Sequence, residues 1–213
     1  MSEYIDHLPT WQTLAGQHDF SNMTLLEYGC GAGTKTLCQL FKKCVSIELY
    51  DKSFLPPNWF LQLELQMRKD AVNNWEGKLV QVSENISNIE HQIRYQDLII
   101  TREYSGSVVD ELKKIISNDV QTYQPDVIFI DPGIHARGEM ARIIMENKWA
   151  SLVIVHDYYW GDLRYGYHLI KETPHYAMSI PNPGGVGTAV YALKNNNEGV
   201  FGRSQYREIF KLK

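Results

Sequence analysis

Cysteine is scarce: Cys30, Cys38 and Cys44 are the three in 213 residues. An odd set without metal-ligand spacing excludes a disulfide framework and a zinc cluster, and predicts a reducing compartment with mostly core thiols. Long apolar runs are absent too, with nothing near the roughly 18 residues of a membrane span. Residues 1–23 carry Glu3, Asp6, His7, Gln12 and Asp19 and do not read as a signal peptide. The expectation is a soluble, cytoplasmic protein. Positive charge is not in excess: 21 basic against 25 acidic residues leave a net charge of −4. That excludes the broad positive field of a duplex-binding protein, so nucleic acid is an unlikely partner. Arg203, Arg207, Lys211 and Lys213 read as a solvated tail. There is no internal repeat.

What is present suits one α/β domain, 44% hydrophobic. Its organising stretch is Thr24 to Phe41, TLLEYGCGAGTKTLCQLF. Thr24–Tyr28 reads as a buried strand. Gly29, Gly31 and Gly33 make a tight turn, and Leu37, Leu40, Phe41 and Cys44 then recur at helical spacing. Strand, glycine turn and helix open a doubly wound sheet, and ligands sit at that turn.

The turn is not a phosphate loop, because Thr34 precedes Lys35. Its G-x-G-x-G spacing also departs from the dinucleotide fingerprint G-x-G-x-x-G. With Glu27 it reads E-x-G-x-G-x-G, which resembles motif I of class I S-adenosylmethionine-dependent methyltransferases. The resemblance implies that Gly29, Gly31 and Gly33 pass under the cofactor while Glu27 helps hold its methionine end. Cys44–Leu49 is a short β-branched run that reads as a strand ending in Glu48, fifteen residues after Gly33. An acid there can accept two hydrogen bonds from ribose hydroxyls. Glu84, ending VQVSE, is its rival.

Further along, 59–75 carries an apolar stripe (Phe60, Leu63, Met67, Ala71, Trp75) that fits an amphipathic helix. The third strand is left open between Lys78–Val82 and Gln96–Thr101. Thr101–Leu112 reads as a strand end, a loop and a helix, with Val108, Val109, Leu112, Ile115 and Ile116 inward. By analogy the loop Glu103–Ser105 would lie near the adenine. Asp126–Asp131 and Ser151–Asp157 are apolar strands ending in acids, and Met140, Ile143 and Ile144 mark a helix between them. Tyr176–Ile180 and Thr188–Leu193 flank a Pro-Gly turn. They resemble the antiparallel edge closing the seven-stranded methyltransferase sheet. The expected fold is therefore α/β, a doubly wound, mostly parallel seven-stranded sheet with an antiparallel edge strand. Residues 1–23 form a leader packing on a domain of residues 24–213. That leader would cover the cofactor or shape the acceptor pocket.

Glu27, Glu48, Asp131, His156 and Asp157 would then converge on one sheet edge, where buried acids need compensation. Asp131 and Asp157 resemble the magnesium-binding acids of catechol-type and macrocin-like sugar O-methyltransferases. That resemblance implies a metal at Asp131 and Asp157 polarising an acceptor hydroxyl. The second site here is His156-Asp157 rather than Asp-Asn. His135 is the favoured general base and His156 the second, with Asp131 also near the chemistry. The run Asp131-Pro132-Gly133-Ile134 lacks the aromatic residue of the Asp-Pro-Pro-Tyr motif that stacks a target base. Tyr158, Tyr159, Trp160, Tyr165 and Tyr167 could wall an acceptor or pack on the sheet.

Together these residues imply S-adenosylmethionine-dependent methylation of a small-molecule or sugar hydroxyl. Magnesium is a possible helper, and the oligomeric state is open. The alternatives are a non-catalytic cofactor-binding module or partner subunit, a nitrogen acceptor, and a dinucleotide-dependent oxidoreductase.

Overall fold

The computed structural model describes residues 7–51, 58–83, 106–134, 136–158, 165–171, 176–178 and 187–193. Its elements are helix α1 (Leu8–Ala15), β1 (Thr24–Tyr28), α2 (Thr34–Leu40), β2 (Lys43–Asp51), α3 (Asn58–Lys69) and β3 (Trp75–Val82). They continue with α4 (Gly106–Tyr123), β4 (Val127–Ile130), α5 (Arg137–Glu146), β5 (Leu152–His156), β6 (Tyr176–Met178) and β7 (Thr188–Ala192).

The seven strands form one sheet in the order β3-β2-β1-β4-β5-β7-β6. β1 to β5 run parallel, and β7 lies antiparallel between β5 and β6. This is the doubly wound, mostly parallel sheet expected from the sequence. Strand side chains alternate between the two faces, so each apolar run must be covered on both sides. Leu26, Tyr28, Val45, Ile47, Ile128, Ile130, Val153 and Val155 meet Val108, Leu112 and Ile116 of α4 and Met140, Ile143 and Ile144 of α5. On the other face Leu25, Val127, Phe129, Leu152 and Ile154 meet Trp11 and Leu14 of α1, Leu37 and Cys38 of α2, and Met67 of α3. Trp11 is fully buried, edge-on to Phe41 and Phe129 at 5.7 and 5.5 Å. Thus α1, from the leader, is part of this second layer. Among the described residues no helix is long and apolar enough to cross a membrane.

The helix read over 59–75 is shorter in the structure. It ends at Lys69, where Ala71 turns left-handed (φ 51°) and the Val72 amide bonds back to the Met67 carbonyl at 3.0 Å. Trp75 therefore starts β3 instead of extending the helical stripe, and β3 settles the third strand on the Lys78–Val82 side. Gln96–Thr101 and Glu103–Ser105 lie outside the described residues. Cys44, counted in the first helix's apolar pattern, belongs to β2, because α2 stops at Leu40.

Strand order reverses between β1 and β4, so the loops after these strands diverge to opposite faces and leave a crevice. Two close contacts set its floor. The Asp131 amide donates to the Tyr28 carbonyl at 2.8 Å. Gly29, at φ 86°, leaves no room for a Cβ, which would overlap the Asp131 carbonyl.

Candidate functional site

The glycine turn after β1 is held from beneath by Glu27. Thr34 at the start of α2 donates its hydroxyl to Glu27 Oε2 at 3.0 Å, and Ser46 of β2 donates to the same oxygen at 2.7 Å. The Gly31 amide donates to Thr34 Oγ1 at 3.0 Å, so Glu27 fixes the turn through the threonine. Trp75 of β3 adds a bond from its indole to Ser46 Oγ at 3.0 Å. Glu27 is 2% exposed, and burial pushes its carboxyl up to about 8, against the pull of the Ser46 and Thr34 hydroxyls.

Glu48 is not at the end of its strand, because β2 continues to Asp51. It is nonetheless level with the turn, since Tyr28, the last residue of β1, pairs with Ile47. Its Oε2 accepts the Cys30 amide at 3.0 Å. Gly133 from the β4 loop faces it from across the crevice: a Cβ there would come to 3.8 Å from Oε1. Burial raises the Glu48 carboxyl. Around Gly31 a Cβ would meet no protein atom within 4 Å. The turn is thus closed at Gly29 and open at Gly31, with a buried carboxylate beside the opening. Such a cradle fits a nucleoside whose hydroxyls donate to Glu48. Gly33 caps α2 in an ordinary helical conformation. Glu84 lies outside the described residues.

Across the crevice the two strand-end aspartates come together, but they share a guanidinium. Arg137, the first residue of α5, places Nη1 at 2.7 Å from Asp131 Oδ1 and 2.8 Å from Asp157 Oδ2. Its Nε donates to the Pro132 carbonyl at 2.8 Å, and its plane lies over the Tyr165 ring at 4.1 Å. Gly138 lets this happen: it has no Cβ to strike the Gly166 carbonyl, and its amide donates to the Tyr165 carbonyl at 2.8 Å. Asp157 reaches inward from a left-handed backbone at φ 58°. Burial raises the Asp131 carboxyl, while Arg137 and His156 favour its charged form.

A magnesium ion bound by Asp131 and Asp157 does not fit this arrangement. One oxygen of each carboxylate is already taken by a fixed cation, which would repel a second one. Of the two readings open for the aromatic run, the described tyrosines follow the packing one. Tyr165 is spent on Arg137, and the buried Tyr167 donates its hydroxyl to the His156 carbonyl at 2.6 Å. Tyr158 stacks on Tyr167 with ring centres 6.3 Å apart. Tyr159 and Trp160 lie outside the described residues.

His156 is 8% exposed, with Nδ1 at 3.1 Å from Thr188 Oγ1 and Nε2 at 3.5 Å from Asp157 Oδ1. His7, just before α1, meets its ring edge-on at 5.4 Å. Burial first, then His156, lower His7 to about 3, so it stays neutral. His135 lies outside the described residues. The sequence reading gave no site role to Arg137, Thr34, Ser46 or Trp75. Arg137 did carry a signal: a cation in the first turn of a helix opposes the helix dipole and needs acids nearby.

No family model matches the chain, and no curated protein matches it. Among solved structures its backbone is similar to an rRNA methylase from Streptococcus thermophilus, at 11% identity and TM-score 0.48, covering 91% of this chain and 99% of that one. It is also similar to the Pyrococcus abyssi tRNA (uracil-54, C5)-methyltransferase in complex with S-adenosyl-L-homocysteine, at 9% identity and TM-score 0.44, covering 90% and 40%. A third is the C-terminal domain of precorrin-6Y C5,15-methyltransferase from Rhodobacter capsulatus, at 10% identity and TM-score 0.41, covering 90% and 91%. Likenesses this distant carry no argument about activity.

Proposed function

We propose that this chain is an S-adenosylmethionine-dependent methyltransferase acting on an acceptor oxygen of a small molecule or sugar. The observation that carries the reading is the opening at Gly31, at the sheet's switch point, with the Glu48 carboxylate beside it. When bound, S-adenosylmethionine supplies an electrophilic methyl group. In this reading Gly29, Gly31 and Gly33 let the backbone pass close beneath it, Glu27 keeps the turn in shape, and Glu48 accepts the ribose hydroxyls. Asp131 closes the crevice between turn and acceptor. Positioning of this kind supplies much of the rate in a displacement reaction.

His156 is the described residue suited to take the acceptor proton. Its Nε2 lies 3.5 Å from Asp157 Oδ1. His135 remains a proposed base. Magnesium has no part in the reading, because Arg137 holds the two acids. The same contact favours a second reading, a non-catalytic cofactor-binding module, since the acids are already satisfied inside the protein.

Calorimetry with S-adenosylhomocysteine tests the cofactor site. Wild type should bind it. Gly31→Arg should lose binding at an unchanged melting temperature, because its side chain enters ligand space only. A wild type that does not bind, or a variant that binds equally, rejects the proposal. Transfer of a labelled methyl group to any acceptor in a cell extract separates enzyme from module.

A further inference from the structure

We propose that Arg137 takes the place of a divalent cation at Asp131 and Asp157, so that the wild-type cluster excludes metal. Asp131, His156 and Asp157 offer three ligand atoms within 4.8 Å of one another, a donor set that could hold a metal ion. The guanidinium touches both carboxylates and is locked by the Pro132 carbonyl and the Tyr165 ring. Arg137 is 6% exposed and sits at the start of α5, so it does not swing out as a surface side chain would. It also keeps its proton at any ordinary pH, so no titration of Arg137 opens the cluster. With the guanidinium counted, the two carboxylates present about one net negative charge to an incoming dication. The like charge lies within hydrogen-bonding distance of both donors.

A latent metal site is therefore closed by the chain's own cation. Acceptor activation at this edge then falls to a side-chain base and not to a Lewis acid. That consequence rests on the transfer reading, whereas the exclusion of metal does not.

Manganese titration followed by electron paramagnetic resonance tests the exclusion on the full chain. Wild type and Arg137→Lys should bind no manganese at this cluster. Arg137→Met should bind one equivalent at this cluster. Asp157→Asn added to Arg137→Met should abolish that binding. A merely structural arginine would not create a metal site when removed. One equivalent bound by wild type and lost in Asp157→Asn overturns the proposal, as does a folded Arg137→Met that binds no better than wild type. Should Arg137→Met not fold, the wild-type titration decides: one equivalent at the cluster overturns the proposal, and none supports it. Calorimetry with S-adenosylhomocysteine on the same samples reports the glycine turn separately, so failure of either reading is seen by itself.

Discussion

Glu27 and Glu48, on the β1–β2 side of the crevice, are held by neutral donors, whereas Asp131 and Asp157, on the β4–β5 side, are held by a guanidinium. The first pair accepts hydroxyls and a backbone amide: Thr34 and Ser46 at Glu27, Cys30 at Glu48. The second pair shares Arg137. Burial raises both Glu27 and Glu48, and the hydroxyls and amide that bond them offset it only in part. An acid in that state gains from a cationic or hydroxyl-rich ligand. A carboxylate already paired with arginine gains little. The β1–β2 side is thus built to receive something, and the β4–β5 side is built to hold its own shape.

Breaking the second side should have the largest effect. Arg137→Met leaves two part-buried carboxylates, 25% and 16% exposed, without their cation, and losing one partner of a buried ion pair costs at most about 3–5 kcal/mol. Urea denaturation should show a loss of that order. Adding Asp131→Asn and Asp157→Asn should restore most of it, because the charges that needed Arg137 are gone. A single-variant loss below about 1 kcal/mol, the range of an exposed pair, would mean that this side is not held ionically.

The first side should reveal itself through pH. Glu27 in the folded chain holds its proton up to about 8, against its ordinary value of 4.5. Between these values the native state binds a proton that the unfolded chain releases. The contribution is therefore fully present below about pH 4.5 and is lost as pH rises through about 8. The slope reaches about 1.4 kcal/mol per pH unit if Glu27 acts alone. Glu48 and Asp131 shift in the same direction, so the informative quantity is the difference between wild type and Glu27→Gln. The variant should be flatter across pH 5–8, and equal slopes would show that Glu27 titrates normally in the fold.

The two sides also differ in how legible they were. β1 runs from Thr24 to Tyr28 as read, because an apolar run meeting glycine leaves little freedom in placing its end. Glu48 was found for its chemistry but taken for a strand terminus. A buried acid bonded by Cys30 does not interrupt β2, so polarity misplaced the boundary. Trp75 fitted a helical period by chance, and only the left-handed turn at Ala71 ends α3 before it. On the other side, Asp131, His156 and Asp157 were read as a cluster from strand-end positions alone. Their cation was missed because Arg137 follows in a helix, and which face it presents depends on α5 docking and on the Gly138–Gly166 contact. Long-range partners such as Tyr165 leave no periodic trace.

The smallest expected effect concerns the support under Glu27. Trp75→Phe removes the indole donor to Ser46 but keeps an aromatic ring beside Phe60, 6.4 Å away between ring centres in the native chain. Ser46 can still donate to Glu27, so the loss is one neutral, part-buried hydrogen bond, about 1 kcal/mol. Ser46→Ala should cost more, because a fully buried carboxyl then loses one of its two hydroxyl donors and its titration moves further up. The two variants therefore rank the links of one chain, Trp75 to Ser46 to Glu27, by denaturation midpoint. If Trp75→Phe proves as costly as Ser46→Ala, the indole orients the hydroxyl. Glu27's environment would then be set from β3 as well as from β2 and α2.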